Sequence, residues 1–292
     1  MKEQIEAVRR MQNYIAEHYT EEITPAALAE ASMFSPWYAR RLFEKWTGRT
    51  PADYVRRLRL SRSALMLRDE GCSVTEAAME SGFQSVDGYQ RAFLREFGRN
   101  PKEYARHPVP VFLFTPYEVT DPEDGKEETT MAEVRNVFVT VCEKPARKVI
   151  VKRGVKADEY MSYCEEVGCE IWGLLMSIRS PEGEPVCMWL PEKYRDPVTN
   201  VYVQGAEVPL DYDGIVPEGL DVIELPACTY LRFKGEKFAE EDYERAIAEV
   251  WQAEDRFDYA DAGFARDGEN PRIQLAPVGE RGYIELVPVK KI

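Results

Sequence analysis

The sequence predicts two domains joined by an acidic linker. An all-α domain with two helix-turn-helix units spans 1–108, the linker 109–133, and an α+β domain made of a duplicated strand–helix–strands unit 134–292. Three observations predict this. First, 292 residues exceed what one ordinary hydrophobic core serves. Second, charge is unevenly shared: residues 1–108 hold 17 Lys and Arg against 15 Asp and Glu, leaving 21 basic and 37 acidic residues of the totals 38 and 52 for the remainder. Third, each half repeats internally, at its own offset.

Composition narrows the functional classes. With 44% hydrophobic and 31% charged residues the chain is a packed globular protein, not a disordered one. Its polar opening, Met1-Lys2-Glu3-Gln4, carries no signal-peptide pattern, and no apolar run approaches the ~18 residues of a membrane span. A cytoplasmic protein without a membrane partner is expected. The cysteines at 72, 142, 164, 169, 187 and 228 form no C-x-x-C pair. They read as reduced, mostly buried thiols, with neither a disulfide framework nor a metal site, and no cofactor is expected. Histidine occurs only at 18 and 107, so the C-terminal half lacks the base of a Ser-His-Asp or Cys-His site.

Ile5, Val8, Ile15 and Tyr19 fall near helical spacing, and Thr24-Pro25 supplies a capping hydroxyl followed by a first-turn proline. Residues 23–56 then recur at 74–106. At offset 49 the identities are Ala29/Ala78, Ser32/Ser81 and Phe34/Phe83; at offset 50 they are Arg41/Arg91, Phe43/Phe93, Gly48/Gly98, Pro51/Pro101, Tyr54/Tyr104 and Arg56/Arg106. Each copy has a short helix with small apolar residues, a turn containing Met33 or Gly82, and a second helix burying Leu42, Phe43 and Trp46, or Tyr89, Phe93 and Phe97. Gly48 and Gly98 end those second helices. Between the copies, Pro51 to Arg68 reads as one helix of roughly 27 Å at ~1.5 Å per residue. Such a strut would hold two recognition helices for successive major grooves, ~34 Å apart on one face of double-stranded DNA.

Residues 33–68 carry nine basic residues against Glu44 and Asp53. Arginine forks match guanine edges, so Arg41 and Arg91 are the expected base readers. Trp37 is placed for apolar or sugar contacts, and Arg40, Lys45, Arg56 and Arg57 for phosphates. Asp87 could accept from a cytosine amino group or cap its helix, and the cap is the favoured reading. A plain helical bundle with a solvated arginine face is the competing reading; duplication, turn glycine and basic strut coincide against it.

The run Ala77-Ala78-x3-Gly82-Phe83-x5-Tyr89-x3-Phe93-x3-Phe97-Gly98-x2-Pro101-x2-Tyr104 resembles the DNA-binding domain of the AraC/XylS family over about 100 residues. The resemblance implies DNA contacts by Trp37, Arg40 and Arg41 on the first recognition helix and by Gln90 and Arg91 on the second. Lys45 and Arg95 lie on the same polar faces.

The stretch 115–131 has six acids from Glu118 to Glu128 against one lysine, which reads as a solvated linker. Beyond it, Val137 to Val141 and Val149 to Val151 read as strands, and 158–178 and 241–257 as helices. At offset 81, Pro145-Ala146-x7-Gly154 recurs as Pro226-Ala227-x7-Gly235, and Tyr202-x-Gln204 as Tyr283-x-Glu285. Two such units commonly pack about a pseudo-twofold axis with a cleft between them. On the last strand, period two puts Ile284 and Leu286 on one face and Tyr283, Glu285 and Val287 on the other.

This half, above all Gly282 to Lys290, resembles the GyrI-like effector-binding domain, and its fusion to an AraC-type half resembles Rob-type regulators. The resemblance implies that Glu285 faces a cationic ligand in an aromatic-lined pocket, with Trp172, Trp189, Tyr202, Tyr230 and Tyr283 as candidate walls. Core packing is the competing reading for each aromatic. The expected function is a non-enzymatic, sequence-specific transcription regulator responding to a small lipophilic or cationic effector, with RNA polymerase a candidate further partner. The alternatives are a GyrI-like hydrolase using Glu285 as base, or a constitutive activator whose C-terminal half only docks partners.

Overall fold

Capping chemistry sets the helix starts of the N-terminal half. In the computed structural model, which describes residues 1–117, 119, 136–239 and 242–292, Thr24 accepts from the Ala27 amide and Thr50 from that of Asp53, each just ahead of a proline. Ser73 forms a capping box with Glu76, and Ser85 accepts from the Gly88 amide. The helices are α1 (Lys2–His18), α2 (Pro25–Ser32), α3 (Pro36–Thr47), α4 (Pro51–Asp69), α5 (Val74–Glu80), α6 (Val86–Phe97) and α7 (Pro101–Arg106). Thus α2–α3 and α5–α6 are the two helix-turn-helix units, and α4 is the strut. Ser85, not Asp87, caps α6; Asp87 lies in the first turn, exposed, where its charge suits the helix dipole.

The chain divides into two compact units, Met1–Thr130 and Met131–Ile292. In the first, Ile5, Val8, Met11 and Ile15 of α1 are buried against Leu28, Leu42, Phe43, Tyr54 and Leu58. Each such side chain contributes about 1.5–3 kcal/mol on leaving water. The second helix-turn-helix is held by edge-on rings: Phe83–Tyr89, Tyr89–Phe93 and Phe93–Phe97, with Tyr104 against Phe93.

The expected solvated linker is corrected over its described part. Val111 and Leu113 are buried, Phe114 packs edge-on against Tyr54, and the Phe114 amide donates to Ser61. Gln12 donates to the Tyr117 carbonyl and accepts from the Val119 amide. The acids overshadowed these apolar residues in the sequence. Residues 118 and 120–133 of the predicted linker lie outside the described residues.

The second unit is a nine-stranded sheet: β1 (Phe138–Lys144), β2 (Arg147–Arg153), β3 (Val186–Trp189), β4 (Tyr202–Pro209), β5 (Asp221–Leu225), β6 (Cys228–Lys234), β7 (Phe264–Arg266), β8 (Arg272–Gln274) and β9 (Ile284–Lys291). Its order is β1-β6-β9-β8-β3-β4-β2-β5, with β7 on β9, and every pairing is antiparallel. The duplication is visible in the register. Lys148 pairs with Val208 as Thr229 pairs with Val289, each shifted by the same 81 residues. β1 flanks β6 as β5 flanks β2, so the two halves meet at β3 and β8, where Cys187 pairs with Gln274. The Gly154 amide donates to the Tyr202 carbonyl, and the Gly235 amide to that of Tyr283.

Among the described residues the α-helices of this unit are α8 (Tyr160–Val167), α9 (Glu170–Ser177) and α10 (Tyr243–Arg256). The single helix expected over 158–178 is two, because Gly168 takes φ 89° and breaks it. The cysteines are free, but only Cys187 and Cys228 are buried; Cys169 is exposed, so the expectation of mostly buried thiols fails. Among the described residues no helix is long and apolar enough to cross a membrane.

Candidate nucleic-acid interface and candidate effector site

α3 buries Ala39, Leu42 and Phe43, which leaves Trp37, Arg40, Arg41 and Lys45 exposed on its other side. Trp37 is 66% exposed, a state a tryptophan rarely holds without a partner surface. The Arg41 guanidinium lies 4.8 Å from its ring centroid, so the two form one flat, cationic patch. The Lys45 ammonium sits 4.8 Å from the Trp46 ring and donates weakly to Gln4 at 3.4 Å. On α6 the buried side is Tyr89, Ala92 and Phe93; Arg91 and Arg95 are exposed and Gln90 is half-buried. Among the described residues no ion pair engages Arg40, Arg41, Arg91 or Arg95. Their charge is open to an incoming anion.

The two helix-turn-helix copies open on one concavity within the first unit. A groove of about 760 Å³ is lined by Pro36, Trp37 and Arg40 at the start of α3, by Pro51, Val55 and Arg59 of α4, and by Phe83 and Gln84 just ahead of α6. Arg59 braces it. Its guanidinium donates to the carbonyls of Tyr19 (2.6 Å) and Glu21 beside the first copy and to that of Gly82 (2.9 Å) in the turn of the second.

Arg57 and Arg56, expected at phosphates, already hold acids within the domain. Neither is a free phosphate-facing cation. Arg57 bonds Asp53 at 3.1 Å and Glu96 at 2.7 Å, and Arg56 bonds the same two acids at 2.6 and 2.9 Å. The cluster clamps α4 to the end of α6. Glu96 was missed because nothing in the sequence of α6 shows that this acid meets arginines 39 and 40 positions earlier.

In the second unit the helix-covered face of the sheet gathers most of the predicted pocket residues. Glu285 is 0% exposed. Its carboxylate accepts from Trp251 Nε1 (2.6 Å), the Tyr283 hydroxyl (2.6 Å) and Arg272 Nε (2.6 Å), with a further bond from Arg272 Nη2. Burial and the Glu285 charge push the Tyr283 hydroxyl far above its ordinary value, so it stays a donor. Trp189 pairs across the strands with Arg272, whose guanidinium lies 5.0 Å from the Trp189 ring and 5.9 Å from that of Trp251. Tyr202 meets Trp189 edge-on at 5.1 Å and donates to Gln274, the residue paired with Glu285. Trp172 packs in the Tyr163–Tyr202 cluster of the other half-unit.

Tyr230 is excluded from this group. It belongs to the opposite face of the sheet with Val149 and Ile284, where its hydroxyl accepts from Arg147, itself bonded to buried Glu207. Period two on β6 explains this, since Leu231 and Phe233, not Tyr230, point toward the Tyr283 side. Three members were not anticipated: Trp251, Glu254 and Arg272. Glu254 Oε2 bonds Arg272 at 3.0 Å. Burial and a hydrogen bond with Glu285 push the Glu254 carboxyl up to about 9. Trp251 and Glu254 are three residues apart on α10, a spacing that puts them on one face and was readable.

Comparison with known proteins bears mainly on the first unit. A helix-turn-helix domain family matches residues 28–107. The regulatory protein SoxS of Escherichia coli strain K12 is 35% identical over 94 residues, which are 32% of this chain and 87% of SoxS. The right origin-binding protein of the same strain is 25% identical over 230 residues, covering 77% of this chain and 76% of that protein. Among solved structures, the DNA-binding domain of the global transcriptional factor AdpA in complex with a target DNA is similar at 25% identity and TM-score 0.33, over 35% of this chain and 91% of that one.

Proposed function

Since this chain belongs to the AraC/XylS family of DNA-binding transcriptional regulators, we propose that α3 and α6 enter successive major grooves and that the second unit is a GyrI-like domain responding to a small lipophilic or cationic effector. Arg41 and Arg91 read bases, Gln90 assists, and Arg40, Lys45, Arg95 and Trp37 position the duplex. The observation that carries this is the pair of duplicated helices whose exposed arginines, among the described residues, pair with no acid, with the start of α3 and the turn ahead of α6 lining one groove. The protein acts in the cytoplasm, with RNA polymerase a candidate partner.

The effector reading is supported by a carboxylate held dry among aromatic rings, a setting that attracts cations. It is favoured over hydrolysis because both Glu285 oxygens already accept from side chains, Trp251 and Tyr283 on one and Arg272 on the other, so neither is free to face a water. For a response to follow, the effector must bind one DNA-competent state better than another. The test is selection of bound fragments from random DNA by the full chain, with and without lipophilic cations. Two motifs about one helical turn apart are expected, with enrichment that shifts when a cation binds. A single short motif contradicts the DNA reading, and enrichment unmoved by a cation that binds contradicts the effector reading.

A further inference from the structure

A cation already stands in the effector site. The Arg272 guanidinium bonds Glu285 through two nitrogens and Glu254 through one, and lies near the faces of Trp189 and Trp251. That is the complement a cationic ligand would use. We propose that Arg272 is a built-in occupant of this site, which a ligand bearing a planar amidinium or guanidinium on an apolar body displaces. This rests on the reading of Glu285 as the cation-binding carboxylate.

Exposure shows which partner moves. The Arg272 side chain is 35% exposed, whereas those of Glu285 and Glu254 are 0% and 4%. The guanidinium borders solvent and can swing into it, while the carboxylates are fixed in the sheet and in α10. Departure of Arg272 without replacement would leave the buried Glu285 carboxylate without its counter-charge beside the Glu254 carboxyl, a cost that a neutral ligand does not offset. Only a cation can take its place. The two flanking rings favour a flat cation, and the in-line carboxylate favours paired N–H donors over a compact ammonium.

The duplicated half gives an internal control. At the position equivalent to Glu285 it buries Gln204, a neutral amide, beneath an equally buried Tyr202. The fold therefore accommodates this strand position without an ion pair, and the charge is particular to one half. Arg272 on β8 is also the register partner of Trp189 on β3, where the two half-units meet. Displacing it frees a side chain at the seam of the duplication.

Benzamidinium tests the proposal on the full chain, by calorimetric titration and by thermal melting. Arg272→Gln should bind it about tenfold or more tighter than wild type, because a ligand's apparent affinity is reduced by the fraction of time its site is closed. Benzamidine should likewise raise the melting temperature of Arg272→Gln by more than that of wild type. Adding Glu285→Gln to Arg272→Gln should abolish both effects. Arg272→Lys, which keeps the charge but loses the planar fork, should bind tighter than wild type even if Arg272→Gln folds poorly. Binding by both variants that is equal to or weaker than wild type overturns the proposal and makes Arg272 part of the wall, while the effector reading survives. No binding by wild type or either variant overturns both.

Discussion

Met33 and Gly82 occupy the same turn position in the two helix-turn-helix copies, and both adopt left-handed backbone, with φ of 61° and 78°. Only the second carries the residue this conformation favours. Met33 is 80% exposed, so it gains little packing for its strain. Met33→Gly is expected to stabilise the first unit by up to about 1 kcal/mol, the lower end of the left-handed penalty. Gly82→Ala should destabilise, because its Cβ would stand 2.4 Å from the Thr20 carbonyl oxygen. Urea midpoints of the two variants moving in the same direction would contradict this.

Arg59 ties that turn to the loop after α1 by bonds to Tyr19, Glu21 and Gly82. Arg59→Met is expected to cost about 2 kcal/mol, since it strands three carbonyls that accepted from a charged donor. Affinity for a two-motif DNA should fall while affinity for either motif alone holds. A loss of equal size on single motifs would show that Arg59 acts on one unit and not between them.

Much of this was legible in the sequence, for reasons residue by residue. The duplications in both halves, the cap at Thr24 and the strut from Pro51 follow from local chemistry and repeat with it. The two faces of β9 follow from period two. Where charges meet across distance, the sequence was silent. Arg57 looked like a phosphate contact because Glu96, 39 positions on, could not be paired with it in advance. Nothing in the sequence joined Arg272 to Glu285, 13 positions on, and the same alternation that placed Tyr283 correctly was not applied to Tyr230.

Glu254 should make stability depend on pH. Its folded carboxyl titrates at about 9 against an ordinary 4.5, with burial and Glu285 raising it against the opposing charges of Arg272 and Arg266. Between those values the folded chain holds a proton that the unfolded chain has lost. The group's contribution to stability therefore falls as pH rises through that window, by at most about 1.4 kcal/mol per unit. Glu254→Gln, which mimics the protonated form, should gain on wild type in melting temperature between about pH 6 and about pH 8.5. A difference that is flat across that range would contradict the shift.

The account turns on Arg41 and Arg91 reading separate half-sites from one chain. The direct measurement is affinity of wild type, Arg41→Ala and Arg91→Ala for a selected two-motif DNA in which each motif is scrambled in turn. Each variant is expected to lose about 1–3 kcal/mol and to become indifferent to one motif only, a different one for each arginine. Unchanged affinity in both variants, or loss of discrimination at the same motif, would contradict it.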